Sequence, residues 1–275
     1  DTYLQAMKNT VPALIEKDPL LASRIFDVPS EGYLGSRIDQ NYQPEKIQQQ
    51  RNALLDTLAR ELGAFCKETY LSLDPDMQQD FSQAMGVRAL KNIMLALMAR
   101  QGDAEAFELA KQQYQTTRNM SERLGALRVL VWNDAPQAKA ALEDFYTRFK
   151  DEALALDQWF MVQASHPKAT AETIQALTAH PDYDLGTPNR IRSVSGGLNS
   201  NPVNTWSFGV QHFIDLAKYL DEKNPIVGSR LLQVLSRWYT LAEPQRNQVQ
   251  AALLNLQSVV KSKNVVETLN SMLEV

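Results

Sequence analysis

A chain of 275 residues with 44% hydrophobic side chains is long enough to bury a substantial core and too apolar to be intrinsically disordered. Its 28 basic and 32 acidic residues leave a net charge of −4, and no block of lysine or arginine breaks that balance, which argues against nucleic acid as a partner. Cys66 is the single cysteine, so no internal disulfide can form, and the longest apolar run, around "IMLALM", is far too short to cross a bilayer. The chain begins at Asp1 rather than methionine and carries no basic–apolar leader, which suggests processing or a piece of something longer.

Glycine is sparse and no segment alternates Val, Ile and Thr in the manner of a half-buried strand, so the expected class is all-α. Asp18-Pro19 opens the first clear helix, a capping carboxylate before a proline at the first helical position. Leu55, Leu58, Leu62 and Phe65 then form a stripe, with Arg60, Glu61, Lys67 and Glu68 off it. Met85, Ala89, Ile93 and Leu97 line a second. Asp103 and Ser121 read as caps of the following helices, and Pro136 opens another after "NDA". Trp159 and Phe160 share an apolar face with Leu156 and read as core, as do Met94 and Met98. Thr187-Pro188 and Asn224-Pro225 are further start signals, and Asn204 reads as a cap for the stripe Trp206, Val210, Phe213, Ala217, Leu220. Val227, Leu231, Val234 and Trp238 follow, then Val249, Leu253, Leu256 and Val260.

Each stripe needs a partner helix, and the connections are short, so consecutive helices should lie antiparallel. About a dozen helices without a domain break predict one domain over 1–275, a right-handed α-solenoid of stacked antiparallel helix pairs, ARM- or HEAT-like. A compact irregular bundle is the alternative.

Signatures of catalysis are missing. His166, His180 and His212 are widely spaced, with no H-E-x-x-H and no zinc ligand spacing. "SVSGG" around Ser195 is not G-x-S-x-G, and neither phosphate-binding glycine motif occurs. Cys66, beside the Leu62–Phe65 stripe, reads as a buried, unreactive thiol.

One stretch stands apart: "TPNRIRSVSGGLNSNPVNTW", from Thr187 to Trp206. Two residues apart on a helix, Arg190 and Arg192 point in nearly opposite directions. One should pair with an acid on a neighbouring helix or lie outside, leaving the other to project. Ser193, Ser195, Gly196 and Gly197 suggest a close backbone approach or a glycine helix end. Arg230, one turn into the Asn224-Pro225 helix, lies off its stripe near a helix start, where the dipole disfavours a cation. Taken from the residues alone, these arginines are also compatible with ordinary surface ion pairs.

That stretch, together with "LALDQWFMVQASHP", "NPIVGSRLL" and "DPLLASRIFDVPSE", resembles the C-terminal helical domain of bacterial aminopeptidase N, the zinc-dependent alanyl aminopeptidases. The likeness runs in order from about Asp18 to the end. It implies an α-solenoid that packs over a catalytic domain lying upstream in the same polypeptide and closes the active site, admitting short peptides and excluding folded proteins. The zinc and the H-E-x-x-H and G-x-M-E-N motifs would belong to that catalytic domain, with no cofactor in this chain. By the same resemblance Arg192 and Arg230 face the cavity on the leaving-group side. Ile226 occupies a position that is polar in some relatives. Asn201, with Asn199, is a turn former first and a cavity-lining group second, and Arg190 is structural. The resemblance also implies a cytoplasmic location. A free-standing HEAT-like scaffold that binds another protein is the reading that helical periodicity alone leaves open.

Overall fold

A computed structural model of the chain describes residues 2–78 and 80–274, so that Asp1 lies outside it. In chain order the helices are α1 (Thr2–Lys17), α2 (Pro19–Arg24), α3 (Glu31–Gly35), α4 (Pro44–Ser72), α5 (Phe81–Ala99), α6 (Ala104–Thr116), α7 (Met120–Trp132) and α8 (Ala138–Phe149). They continue with α9 (Ala153–Ala164), α10 (Ala171–Thr178), α11 (Pro188–Asn199), α12 (Pro202–Asn204), α13 (Val210–Lys223), α14 (Pro225–Leu232), α15 (Gln245–Gln257) and α16 (Lys263–Leu273). Strand-like pairing among the described residues is confined to one parallel bridge between Tyr42 and Leu241, so the all-α class holds. No helix among the described residues is long and apolar enough to cross a membrane.

Several helices start where the sequence places a cap. Asp18, Asp103 and Asn224 accept hydrogen bonds from the backbone N–H of Leu21 (2.9 Å), Glu105 (3.0 Å) and Val227 (3.3 Å). Other starts shift. Asn119, not Ser121, caps α7, accepting from the N–H of Ser121. Pro136 lies in the turn before α8, which begins at Ala138 without a side-chain cap. The segment expected to start near Trp206 starts at Pro202 under Asn201, and a π-helical turn over Thr205–Gly209 joins α12 to α13.

The chain gathers into two compact units, one of Asp1–Pro29 with Gln50–Leu156 and one of Ser30–Gln49 with Asp157–Val275. In the first unit α5 meets α2, α6 and α7, and α7 meets α6 and α8. Leu58, Leu62 and Cys66 of α4 are buried with Leu90 and Met94 of α5, Leu127 and Leu130 of α7, and Phe145 of α8. Burial pushes the Cys66 thiol up to about 12, so it stays protonated. A buried polar bridge crosses this core: Tyr70 Oη donates to Gln113 Oε1 (3.1 Å), and Gln113 Nε2 donates to Glu122 O and Asn92 Oδ1, both at 2.8 Å. The inward face of α5 differs from the expected stripe. Val87, Leu90, Met94 and Leu97 are buried, whereas Met85 is 42% exposed. Because α5 is apolar on several sides, its periodicity fits more than one rotation, and packing against its neighbours selects this one.

In the second unit α13 meets α14 and α15, and α14 and α15 both meet α16. Contact with the neighbour and the next-but-one helix is the packing of stacked repeats. Trp206, Val210, Phe213, Ala217 and Leu220 are buried as the stripe requires, and so are Val249, Leu253, Leu256 and Val260. The Val227–Trp238 stripe is not one helix. After Leu232 the chain tightens into 3-10 turns at Gln233–Leu235 and Trp238–Thr240, and the Trp238 indole donates to Met272 O at 2.9 Å.

Asp221, at the end of α13, fixes the start of α16. Its carboxylate accepts from the N–H of Lys261 (2.7 Å), the N–H of Ser262 (3.1 Å) and Ser262 Oγ (2.5 Å). Burial alone would raise its pKa, but these hydrogen bonds and the Lys261 charge together hold it below its ordinary 3.8. Its stabilisation is therefore complete above pH 3.8 and is lost as the pH falls through the lower folded-state value. Replacing it as Asp221→Asn puts an amide against backbone donors and should cost about 1.5–3 kcal/mol. Urea denaturation at pH 7 measures this, and an unchanged midpoint would remove Asp221 from the fold's essential contacts.

Candidate functional site

The stretch from Thr187 to Trp206 lies wholly in the second unit, and its helix α11 separates the two arginines as helical geometry demands. Arg190 is 7% exposed. Its Nε donates to Asp157 Oδ1 at 2.6 Å, its Nη1 donates to Asp182 O, and its guanidinium lies 5.0 Å above the Phe160 ring. Phe160 in turn packs edge-on against Trp159 (5.0 Å), His180 (5.5 Å) and Tyr183 (5.9 Å), so Trp159 and Phe160 are core. Burial pushes the Tyr183 phenol up to about 12 against the pull of the Arg190 charge.

Arg192 emerges on the opposite side of α11. It is exposed, and among the described residues its one polar contact is a long hydrogen bond from Nη1 to Asn189 Oδ1 at 3.4 Å. Asn189, Arg192, Gly196 and Asn199 make a single exposed strip. The two glycines have different tasks. A Cβ on Gly197 would sit 2.7 Å from Ala164 Cβ and 3.0 Å from Met161 O, so only glycine lets α11 seat against the end of α9. Gly196 faces out and would meet nothing nearer than Met161 Cε at 3.9 Å.

Arg230 sits on the exposed side of α14 with Ile226 one turn before it, and Ile226 is 54% exposed. The helix beneath them is held close to α13: a Cβ on Gly228 would lie 3.2 Å from Leu220 Cβ and 3.4 Å from Ala217 O. Among the described residues neither Arg192 nor Arg230 has an acidic partner, and no hydrogen bond joins them, whereas Arg190, Arg237 and Arg246 of the same unit pair with Asp157, Asp39 and Glu243.

Asn201 is placed differently from the other three candidates. It is 7% exposed. Its Oδ1 accepts from Asn204 N and Gln48 Nε2, both at 3.3 Å, and its Nδ2 donates to Pro167 O at 3.2 Å. The side chain is committed to the turn, the first of the two roles expected of it, and little of its surface is left for a ligand. Asn204, read from sequence as the cap, donates instead to Ala169 O at 3.0 Å.

A contact with no short-range sequence signal lies beneath the strip. Ser195 Oγ and His212 Nε2 are 3.1 Å apart, yet Ser195 is 1% exposed, so the pair presents no nucleophile. Burial pushes the His212 imidazole down to about 4 from 6.5, with the Asp215 charge opposing. Among the described residues no group of three or more His, Cys, Asp or Glu is placed to hold a metal, so no donor set here fits a zinc ion.

The family model described as a domain of unknown function (DUF3458_C) with ARM repeats matches residues 1–274. Aminopeptidase N of Escherichia coli (strain K12) is 29% identical over 250 residues, covering 88% of this chain and 28% of that protein. Aminopeptidase N of Haemophilus influenzae is 27% identical over 266 residues, 94% of this chain and 30% of that protein. The chain thus spans less than a third of these curated relatives, and it matches their C-terminal region. A crystal structure of Legionella pneumophila aminopeptidase A in complex with aspartic acid shares the fold, with a TM-score of 0.81 at 23% identity over 98% of this chain and 36% of that one.

The geometry separates arginines that hold the fold from those that do not. Arg190→Met leaves Asp157 buried without its counter-charge and should destabilise the chain by about 3–5 kcal/mol, while Arg192→Ala and Arg230→Ala should each stay within roughly 0.5 kcal/mol of the parent. Chemical denaturation of the three variants checks the ordering. His212 gives a pH signature. It stays neutral in the fold until about pH 4, but the unfolded chain takes up the proton below 6.5. Stability should therefore fall by roughly 2–3 kcal/mol as the pH drops through that window. His212→Gln should flatten this part of the melting-temperature profile, and an unchanged slope would assign it to other groups.

Proposed function

Because the chain belongs to the DUF3458_C family of ARM-repeat domains, we propose that it is the C-terminal, substrate-admitting part of an aminopeptidase N-type enzyme. In this reading it lies against a zinc-bearing catalytic domain of the same polypeptide, limits entry to short peptides, and has no hydrolytic activity alone. Arg192 and Arg230 meet the leaving-group side of the bound peptide, beyond the scissile bond. A cytoplasmic setting accords with one buried cysteine and no possible internal disulfide.

The observation that carries this reading is the family match over residues 1–274. The part given to the arginines is supported by two exposed guanidinium groups without acidic partners among the described residues, on helices that glycines let pack closely against their neighbours. A short peptide held by its free amine presents its carboxylate a few residues away. A guanidinium takes that carboxylate with two parallel charge-assisted hydrogen bonds, which lysine cannot reproduce. Exclusion of water strengthens the attraction. Ile226, exposed one turn before Arg230, offers an apolar surface to the neighbouring peptide side chain. These residues bind and orient, and bond cleavage belongs to the catalytic domain. Asn201 supports the turn that follows α11, its amide already hydrogen-bonded within the fold.

In the longer enzyme, Arg230→Ala and Arg192→Ala should each lower kcat/KM for a tripeptide by about 10- to 100-fold, the loss of one charge-assisted contact. A neutral aminoacyl-arylamide should lose less than about 3-fold. Equal losses on both substrates would overturn the carboxylate role. A polypeptide without any upstream zinc-ligand motif would instead favour a free-standing protein-binding scaffold.

A further inference from the structure

The first unit contains a cation that no acid or hydrogen-bond acceptor among the described residues answers. Arg128 lies midway along α7, on the side turned away from the core, which α7 faces with Arg123, Ala126, Leu127 and Leu130. Ser121, Leu124 and Trp132 share its side of the helix, one Leu124-to-Arg128-to-Trp132 turn above the other. Arg128 is nevertheless only partly exposed, and its Nε is shut off from water with no hydrogen-bond partner among the described residues. Its guanidinium lies 5.2 Å from the centre of the Trp132 ring.

Other arginines of this unit show what a burial site normally supplies. Arg88 Nε also lacks a hydrogen bond among the described residues, but it has a counter-charge, a Glu122 oxygen 3.6 Å away. Arg100 donates to Asp56 at 2.6 Å and to Asn52 at 3.0 Å. Arg123 keeps one buried nitrogen, Nη1, without a partner among the described residues, but donates through Nη2 to Thr117 O and lies over the rings of Tyr114 and Phe149. Arg128 has the ring and, among the described residues, neither an acceptor nor an acid. Burial lowers its pKa, and no neighbouring charge among the described residues opposes that. A guanidinium removed from water without a counter-ion is costly, and the cost is recovered when a carboxylate arrives in fork geometry. An aromatic face behind the guanidinium plane keeps that fork oriented.

We propose that the Arg128–Trp132 strip of α7 is a carboxylate-binding site, in which Arg128 Nη1 and Nη2 donate end-on to the two carboxylate oxygens while the Trp132 indole supports the guanidinium. The carboxylate comes either from an acidic side chain of polypeptide outside these residues or from a free carboxylate ligand. The curated relatives, more than three times as long as this match, leave ample chain to supply the former. The site is independent of the role given to Arg192 and Arg230, which lie in the other unit.

The test is thermal unfolding of the 275-residue chain, with acetate as the probe and chloride at equal ionic strength as the reference. In chloride, Arg128→Met should melt about 2–4 °C above the parent, because an unanswered charge has been replaced by a side chain of similar reach. Acetate should raise the melting temperature of the parent in a saturable way and leave Arg128→Met unmoved. Repeating both measurements in the longer polypeptide separates the sources. If an internal acid fills the site, acetate has no effect there and Arg128→Met melts lower than the parent. If the ligand is free, acetate still stabilises the longer parent. An Arg128→Met chain that melts below its parent in chloride, or the same acetate response in both, overturns the proposal.

Discussion

The rotation of α11 about its own axis is set from two directions at once, and the surface of the second unit follows from it. Arg190 is drawn inward by Asp157, the Asp182 carbonyl and the Phe160 ring. Three residues beyond Val194, Gly197 touches the end of α9 so closely that any side chain would collide with Ala164. With both points fixed, the residue two places after Arg190 has to face outward. Arg192 is exposed because Arg190 is not, and Asn189, Gly196 and Asn199 follow it onto the same strip.

A buried ion pair is seldom a net gain in stability, since both charges lose their water. The Arg190–Asp157 pair escapes much of that penalty through a carbonyl acceptor and an aromatic face on the guanidinium. Its contribution is better described as specificity, since a rotated or shifted α11 would strand two charges in the core. The Asn201 turn works similarly without charge. One amide accepts from Gln48 and Asn204 and donates to Pro167, so segments distant in sequence share a single side chain. The segment Ser30–Gln49 is held to this unit by further contacts of the same long range, including Tyr42 N to Thr240 O at 2.8 Å and Arg237 to Ile38 O at 2.9 Å.

Much of this architecture is legible in the residues, and the exceptions have physical causes. The caps at Asp18, Asp103 and Asn224 act over two or three residues, and the stripes from Trp206 to Leu220 and from Val249 to Val260 each have one polar side. Local chemistry fixes such features, so local reading finds them. The inward face of α5 is different: an apolar sequence on several sides gives no preferred rotation until α2 and α7 are present. The π-helical turn after Asn204 is invisible for another reason, because periodicity assumes a constant number of residues per turn. The Ser195–His212 contact and the attachment of Ser30–Gln49 depend on elements meeting across the fold, which no spacing encodes. In the candidate site, the opposition of Arg190 and Arg192 follows from helical geometry alone, whereas the burial of Asn201 follows from its partners.

The arginines also show why exposure is a weak guide to function and burial a stronger one. A guanidinium in water costs almost nothing to leave unpaired, so Arg192 and Arg230 are consistent with a binding role without demanding it. What gives them weight is their rigid support by close helix contacts together with membership of a family whose relatives are peptidases. Arg128 reverses this balance. Its family context says nothing of a ligand, but a partly buried guanidinium with no counter-charge among the described residues is a free-energy deficit within the unit itself. Arg88 and Arg123 also keep a buried nitrogen without a partner among the described residues, but each has an anion or a carbonyl beside it. What sets Arg128 apart is the missing counter-charge, which a carboxylate at its two Nη groups would supply.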